Sequence, residues 1–213
     1  MILRIALAAS LAVVSTPLYA VTYTLEPNYT QGVFRWDHLG FSSPSAQFSQ
    51  GEGTLEFDQA EPTKSSVNVT IPLASLNSGV PALDDDFRSG YFFETAKFPT
   101  ATFKSTRVEK GAAPDQLKVT GDLSLHGATK PITLDVTINK VGENPLNHLP
   151  TAGFDATTTL KRSEFGLGKF VPLVSDEIRV HIISQAVEAK AYAEYLKAEA
   201  AKKAAAAKDA VNK

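Results

Sequence analysis

The chain has no cysteine, which excludes disulfides, thiolate metal sites and a thiol nucleophile. It also excludes a lipidated N-terminal cysteine, so an exported form is expected to be free rather than anchored. Without disulfides the fold must rest on its own core, which a domain of about 170 residues can supply. Charge of one sign is missing too. Lys and Arg number 21 against 23 Asp and Glu, and the net charge of −2 gives no electrostatic reason to expect a nucleic-acid partner. There is no nucleophile elbow, no phosphate loop and no pair of histidines at helical spacing. Neither catalysis nor a metal or cofactor is therefore expected. No apolar run reaches the roughly 20 residues that span a bilayer.

What is present begins with a targeting signal. Arg4 precedes an apolar run from Ile5 to Val14, broken by Ser15, Thr16 and Pro17 before Leu18-Tyr19-Ala20. A positive start, about ten apolar residues and a small residue at the cut read as a secretory signal peptide. Cleavage is expected after Ala20. The chain then divides into residues 1–20 as signal, 21–187 as a β domain and 188–213 as a helical tail.

The β domain is written in period-two alternation. Val67, Val69, Ile71 and Leu73 alternate with polar or turn residues, as do Leu117, Val119, Leu123 and Leu125. Ile132, Leu134, Val136 and Ile138 repeat the pattern, and so do Ile178, Val180 and Ile182. Such runs predict half-buried antiparallel strands. About eight or nine of them, with little helix between, predict an all-β sandwich or barrel. Residues 75–95 break the rhythm and predict an irregular loop with a short helix across one end. The tail is rich in Ala, Lys and Glu without Gly or Pro, and these are strong helix formers. Its first half carries Val187, Ala191 and Tyr195 on one face for docking. Its second half has little to bury and is expected to fray into solvent.

Four strings carry a resemblance. They are VFRWDHLG at 33–40, LDDDFRSGYFFETAKFPTATF at 83–103, GDLSLHGATKPITL at 121–134 and LKRSEFGLG at 160–168. Together they closely resemble the YceI-like family, over about Tyr23 to Val187. The resemblance implies a lipocalin-like antiparallel β-barrel holding a polyisoprenoid or similar lipid in a long internal channel. It implies a bacterial envelope protein, and with the signal peptide a periplasmic one. The family's lid string usually runs Arg-Asp-x-His-Leu-Arg-Ser-x-Asp-Phe-Phe. Asp84, Arg88, Ser89, Phe92 and Phe93 match it. Leu83, Asp86 and Tyr91 stand where Arg, His and Asp are usual, so polar contacts at this end are expected to differ.

The candidate ligand-binding residues follow. Alternation in FRWDH puts Phe34, Trp36 and His38 on one face, and His38 could donate a hydrogen bond to a headgroup or be satisfied by a core carbonyl. Phe41, Phe48, Phe92, Phe93 and Phe103 are candidates for the channel lining. Asp84 and Arg88 could orient a headgroup or tie the loop down. Arg162 and Phe165 match the family's Arg-Ser-x-Phe-Gly string, and Arg162 could pair with an acid of the Asp84 loop. His126 is read as a turn-end histidine with local backbone bonds before a Gly127–Pro131 turn. The expected ligand is a polyisoprenoid or other long-chain lipid, most simply a quinone. Weak membrane-surface contact through the cationic tail and a homodimer are left open. Two other readings also stay open: an enzyme acting on a lipid or small envelope metabolite, and a ligand-free envelope stress protein whose barrel is filled by its own side chains.

Overall fold

In the computed structural model, residues 20–211 are described. The expected signal peptide, apart from Ala20, lies outside them. The strands are β1 (Val21–Leu25), β2 (Gln31–Arg35), β3 (Ser45–Phe48), β4 (Glu52–Phe57), β5 (Ser66–Pro72), β6 (Thr100–Lys110), β7 (Gln116–Leu125), β8 (Ala128–Glu143), β9 (Pro150–Lys161) and β10 (Glu177–Glu188). Helix α1 (Pro81–Arg88) lies between β5 and β6, and α2 (Ala189–Val211) follows β10.

The strands close on themselves. The order β1-β4-β5-β6-β7-β8-β9-β10 returns to β1 through an antiparallel pairing of Tyr23 with Glu188 and Leu25 with Ala186. This is a closed antiparallel eight-stranded β-barrel. The same β10 also pairs with β2, Gly32 opposite Ile182, and β2 pairs with β3. β1 and β2 are thus two halves of one stave, interrupted at residues 26–30, and β3 and β4 are two halves of the next. Closure removes the sheet edges that would otherwise stay unpaired. One gap remains, because β3 pairs with β2 but not with β5. Gln47 and Asn77 seal it by exchanging both backbone hydrogen bonds at 2.9 Å.

Alternating direction sorts the connections to two ends. Loops 36–44, 73–99, 126–127 and 162–176 lie at one end, called the mouth below. Loops 58–65, 111–115 and 144–149 and the start of α2 lie at the other. The turn joining β7 to β8 is shorter than its sequence suggests. It consists of His126 and Gly127 alone, both with positive φ (51° and 78°), as a two-residue hairpin requires. Thr129, Lys130 and Pro131 already belong to β8. Gly121 has a different purpose: a Cβ there would come within 2.5 Å of the Phe103 ring, so only glycine lets that ring lie across β7.

α2 is capped by its own approach strand, the Glu188 carboxylate accepting from the Ala191 amide at 3.2 Å. It packs against β1 and β10 at its start and runs on as a helix to Val211, exposed over residues 200–208. Glu199 pairs with Lys202 at 2.8 Å, rather than with Lys203 one position further. Among the described residues no helix is long and apolar enough to cross a membrane.

Candidate ligand-binding site

The inward faces of the staves do not meet. They enclose a cavity of about 700 Å³, in the size range of small-molecule sites. Val67, Val69 and Ile71 of β5, Leu123 and Leu125 of β7, Ile132, Leu134 and Val136 of β8, and Ile178, Val180 and Ile182 of β10 form its wall. Leu25, Leu55, Phe57 and Phe154 form a floor. There Phe57 meets Phe154 edge-on at 5.7 Å and Tyr23 at 6.2 Å.

The ceiling is aromatic. Phe34 stacks on Trp36 at 5.7 Å and on Phe48 at 5.4 Å, and meets Phe87 and Phe93 edge-on. Phe87 comes from α1, so the helix is held over the barrel end by its apolar face. Offset and edge-on pairs of this kind add about 0.5–1.5 kcal/mol each beyond area burial. Phe92, Phe93, Phe103 and Phe165 also line the cavity. His38 lines it at the mouth, exposed, its backbone bridged to Ser42 and Val174.

Of the two roles open to Asp84 and Arg88, both residues take the structural one. The Asp84 carboxylate is buried and accepts from the Ser78 amide at 2.7 Å. Arg88 donates to the Leu76 carbonyl at 2.6 Å, with Asp85 rather than Asp84 as its ion-pair neighbour at 3.7 Å. Both tie the loop down, and of this acidic cluster Asp86 is the one that lines the cavity. Arg162 does not pair with the Asp84 loop. Its guanidinium donates to the carbonyls of Ser175 (2.8 Å), Lys169 (2.8 Å), Val174 (3.0 Å) and Leu167, winding the 162–176 loop around itself. Burial pushes its pKa down, opposed by the charge of Asp176. Burial would raise the Asp176 carboxyl. Hydrogen bonds from the Ser163 hydroxyl (2.7 Å) and amide (2.8 Å), with the charges of Arg162 and Lys161, hold it below its ordinary value instead.

Phe41 is not part of the lining. It is 90% exposed, because Leu39 and Gly40 take positive φ (60° and 73°) and reverse the chain. Strand alternation ends at His38, and Phe41 is carried out to the tip of the loop.

The family model for the YceI-like domain matches residues 23–186. The chain belongs to the YceI-like family. Protein YceI of Escherichia coli O157:H7 is 38% identical over 157 residues, covering 74% of this chain and 81% of its own. The crystal structure of the Campylobacter jejuni YceI protein matches with a TM-score of 0.61 at 27% identity, covering 71% of this chain and 89% of that one. A polyisoprenoid binding domain from Saccharophagus degradans shares the fold, with a TM-score of 0.62 at 16% identity over 79% of this chain and 99% of that one.

In this YceI-like barrel, His126 acts at longer range than a turn residue would. Its Nδ1 lies 3.1 Å from the Phe165 carbonyl, and since a carbonyl only accepts, the ring donates there. The ring packs on Phe98 at 4.7 Å, and its buried Nε2 has no hydrogen-bond partner among the described residues and lies 3.8 Å from Glu94. His126 therefore joins the β7–β8 turn to both the lid loop and the 162–176 loop.

Sequence reasoning missed Phe57, Phe87, Phe154 and Phe170 as lining residues. It also missed a polar spot in the wall where Thr30 and Ser184 hydroxyls meet at 3.0 Å beside Gln31. Alternation in EGTLEF could have found Phe57. Nothing in the sequence marks the polar spot, because it arises where the first stave breaks.

Proposed function

We propose that the protein binds, stores or carries a long-chain isoprenoid lipid, with a quinone as headgroup, in the periplasm. The observation that carries the reading is the cavity itself: a wall of aliphatic side chains from every stave around about 700 Å³, floored at one end and roofed by aromatics at the other. Burying roughly 800 Å² of isoprenoid surface at about 25 cal/mol per Å² gives about 20 kcal/mol gross. Ordering the lipid and losing its free motion offset much of that. The remaining balance suits a binder that performs no chemistry. Polar lining is sparse, limited to His38, Ser42, Asp86, Thr158, Arg162 and the spot at Thr30, Gln31 and Ser184, which suits one small headgroup. The structural neighbour described as a polyisoprenoid binding domain supports the lipid class. The periplasmic address rests on Arg4, the apolar run after it and the break before Ala20, and β1 begins at the next residue, Val21.

Native mass spectrometry of gently purified protein tests the reading. A retained lipid of roughly 30 to 50 carbons is expected, its mass separating quinone from alcohol or phosphate. Apo protein alone, after mild extraction from quinone-containing cells, overturns it. Trp36 is the one tryptophan and lies against the cavity, so quenching of its fluorescence by added quinone is an independent readout.

A further inference from the structure

Seven of the thirteen large apolar residues exposed among the described residues lie on the mouth loops, so exposed apolar surface is concentrated at one end of the barrel. Phe41 is joined there by Leu39, Val80, Tyr91 (60% exposed), Phe170 (55%) and Leu173 (70%). The loops carrying them are knit together. Ser175 donates its amide to the Asp37 carbonyl at 3.1 Å and accepts the Asp37 amide at its Oγ at 2.9 Å. Phe170 packs on Phe92 at 6.4 Å, and Lys169 Nζ sits 3.3 Å over the Tyr91 ring. The rim is one surface rather than three separate tips.

That surface is continuous with the cavity. Phe170 lines the cavity and is also half exposed, and His38 and Phe92 line it from the same loops. An apolar path therefore runs from the wall out to solvent at this end, while Phe57 and Phe154 close the other.

We propose that the mouth rim is a docking surface for a lipid bilayer, with Phe41, Phe170 and Leu173 entering the interface and the cavity opening onto it. The proposal rests on the reading of the cavity as an isoprenoid site: such a lipid resides in membranes, and an apolar rim continuous with the cavity spares it a passage through water. Apolar patches of this kind mark interaction surfaces, and shallow insertion of aromatic and aliphatic side chains holds proteins at the interface. Acids outnumber bases seven to four on the mouth loops, so attraction comes from apolar burial and not from anionic headgroups. Binding to zwitterionic membranes should then be insensitive to salt.

The test is flotation of the mature chain, residues 21–213, with phosphatidylcholine vesicles at low and high salt. It compares the wild type with F41S/L173S and, as a control at the opposite end, L146S. Neither Phe41 nor Leu173 lines the cavity, and Leu146 is 91% exposed on the 144–149 loop. Salt-insensitive binding of the wild type, weakened about tenfold in F41S/L173S and unchanged in L146S, is the expected result. Absence of wild-type binding, equal loss in L146S, or a wild-type dimer that F41S/L173S dissociates overturns the proposal, the last in favour of self-association. Native mass spectra of the same samples keep the two readings apart. Lipid retained by protein that ignores vesicles sinks the rim alone, whereas vesicle binding by protein that never holds lipid sinks the cavity reading.

Discussion

His38 stands at the boundary between the part of the first stave that obeys strand alternation and the part that does not. Its ring lines the mouth, exposed, while its backbone bridges to Ser42 and Val174. Alanine keeps the backbone contacts and removes one polar group facing the ligand. His38→Ala is therefore expected to leave the melting temperature unchanged and to weaken lipid affinity by about 0.5–1.5 kcal/mol, the scale of one hydrogen bond. Quenching titrations of Trp36 measure it, and an unchanged affinity excludes a headgroup role. Phe34 and Trp36 were legible in the sequence because period two fixes their side of the sheet. Phe41 was not, because the positive φ of Leu39 and Gly40 depends on the tertiary path of the loop. Asp176 gives a prediction in pH. Its carboxyl is held below the ordinary value of 3.8, so the folded state gains from its ionisation. That gain is present above the ordinary value and lost as pH falls through the folded one. Acid should loosen the 162–176 loop first, seen as faster amide exchange at residues 163–176 than in β7 on acidification below about pH 4. Asp176→Asn should show the faster exchange already at neutral pH.

Elements were legible wherever a local pattern decides them. Alternation in β5, β7, β8 and β10 gave the walls, and composition gave α2. Interruptions were not legible. The break that splits β1 from β2 follows from β10 pairing with both halves, a long-range requirement. The two-residue turn at His126 was hidden because any residue other than glycine is uncommon at positive φ, and there the ring is held across the mouth by the Phe165 carbonyl. For α2 the structure separates a docked start from an exposed remainder. Burial raises the pKa of Tyr192, helped by the charge of Glu26, whereas residues 200–208 are exposed. Truncation after Leu196 is expected to change stability by under about 1 kcal/mol and to leave lipid retention intact, as checked by urea unfolding and native mass spectrometry. A loss of several kcal/mol would mean that the remote turns bury surface against a partner. Vesicle binding provides a second check. The tail leaves from the floor end, so truncation should not alter salt-insensitive binding, whereas a cationic tail touching anionic lipid would give a salt-sensitive component worth at most about 1 kcal/mol per lysine.

At the scale of the whole molecule, alternation around a closed sheet is the same whether the interior is packed or empty. The inward residues are apolar in either case, so the sequence indicates the barrel and not the void. Ala156 offers a way to distinguish the two. It sits on β9 between Val136 and Ile182, both of them wall residues, and its methyl faces the cavity. In a close-packed interior, Ala156→Phe would force off-rotamer neighbours and cost about 1–3 kcal/mol. With about 700 Å³ open in front of it, the ring has room to enter, and the apolar area it buries offsets the small strain. Stability by urea unfolding should therefore stay within about 1 kcal/mol of wild type, while the retained lipid is lost or replaced by a shorter one. A large destabilisation would mean that the interior is filled by its own side chains, which is the ligand-free reading of this barrel. Unchanged stability together with an unchanged lipid would place the bound molecule somewhere other than between β8, β9 and β10.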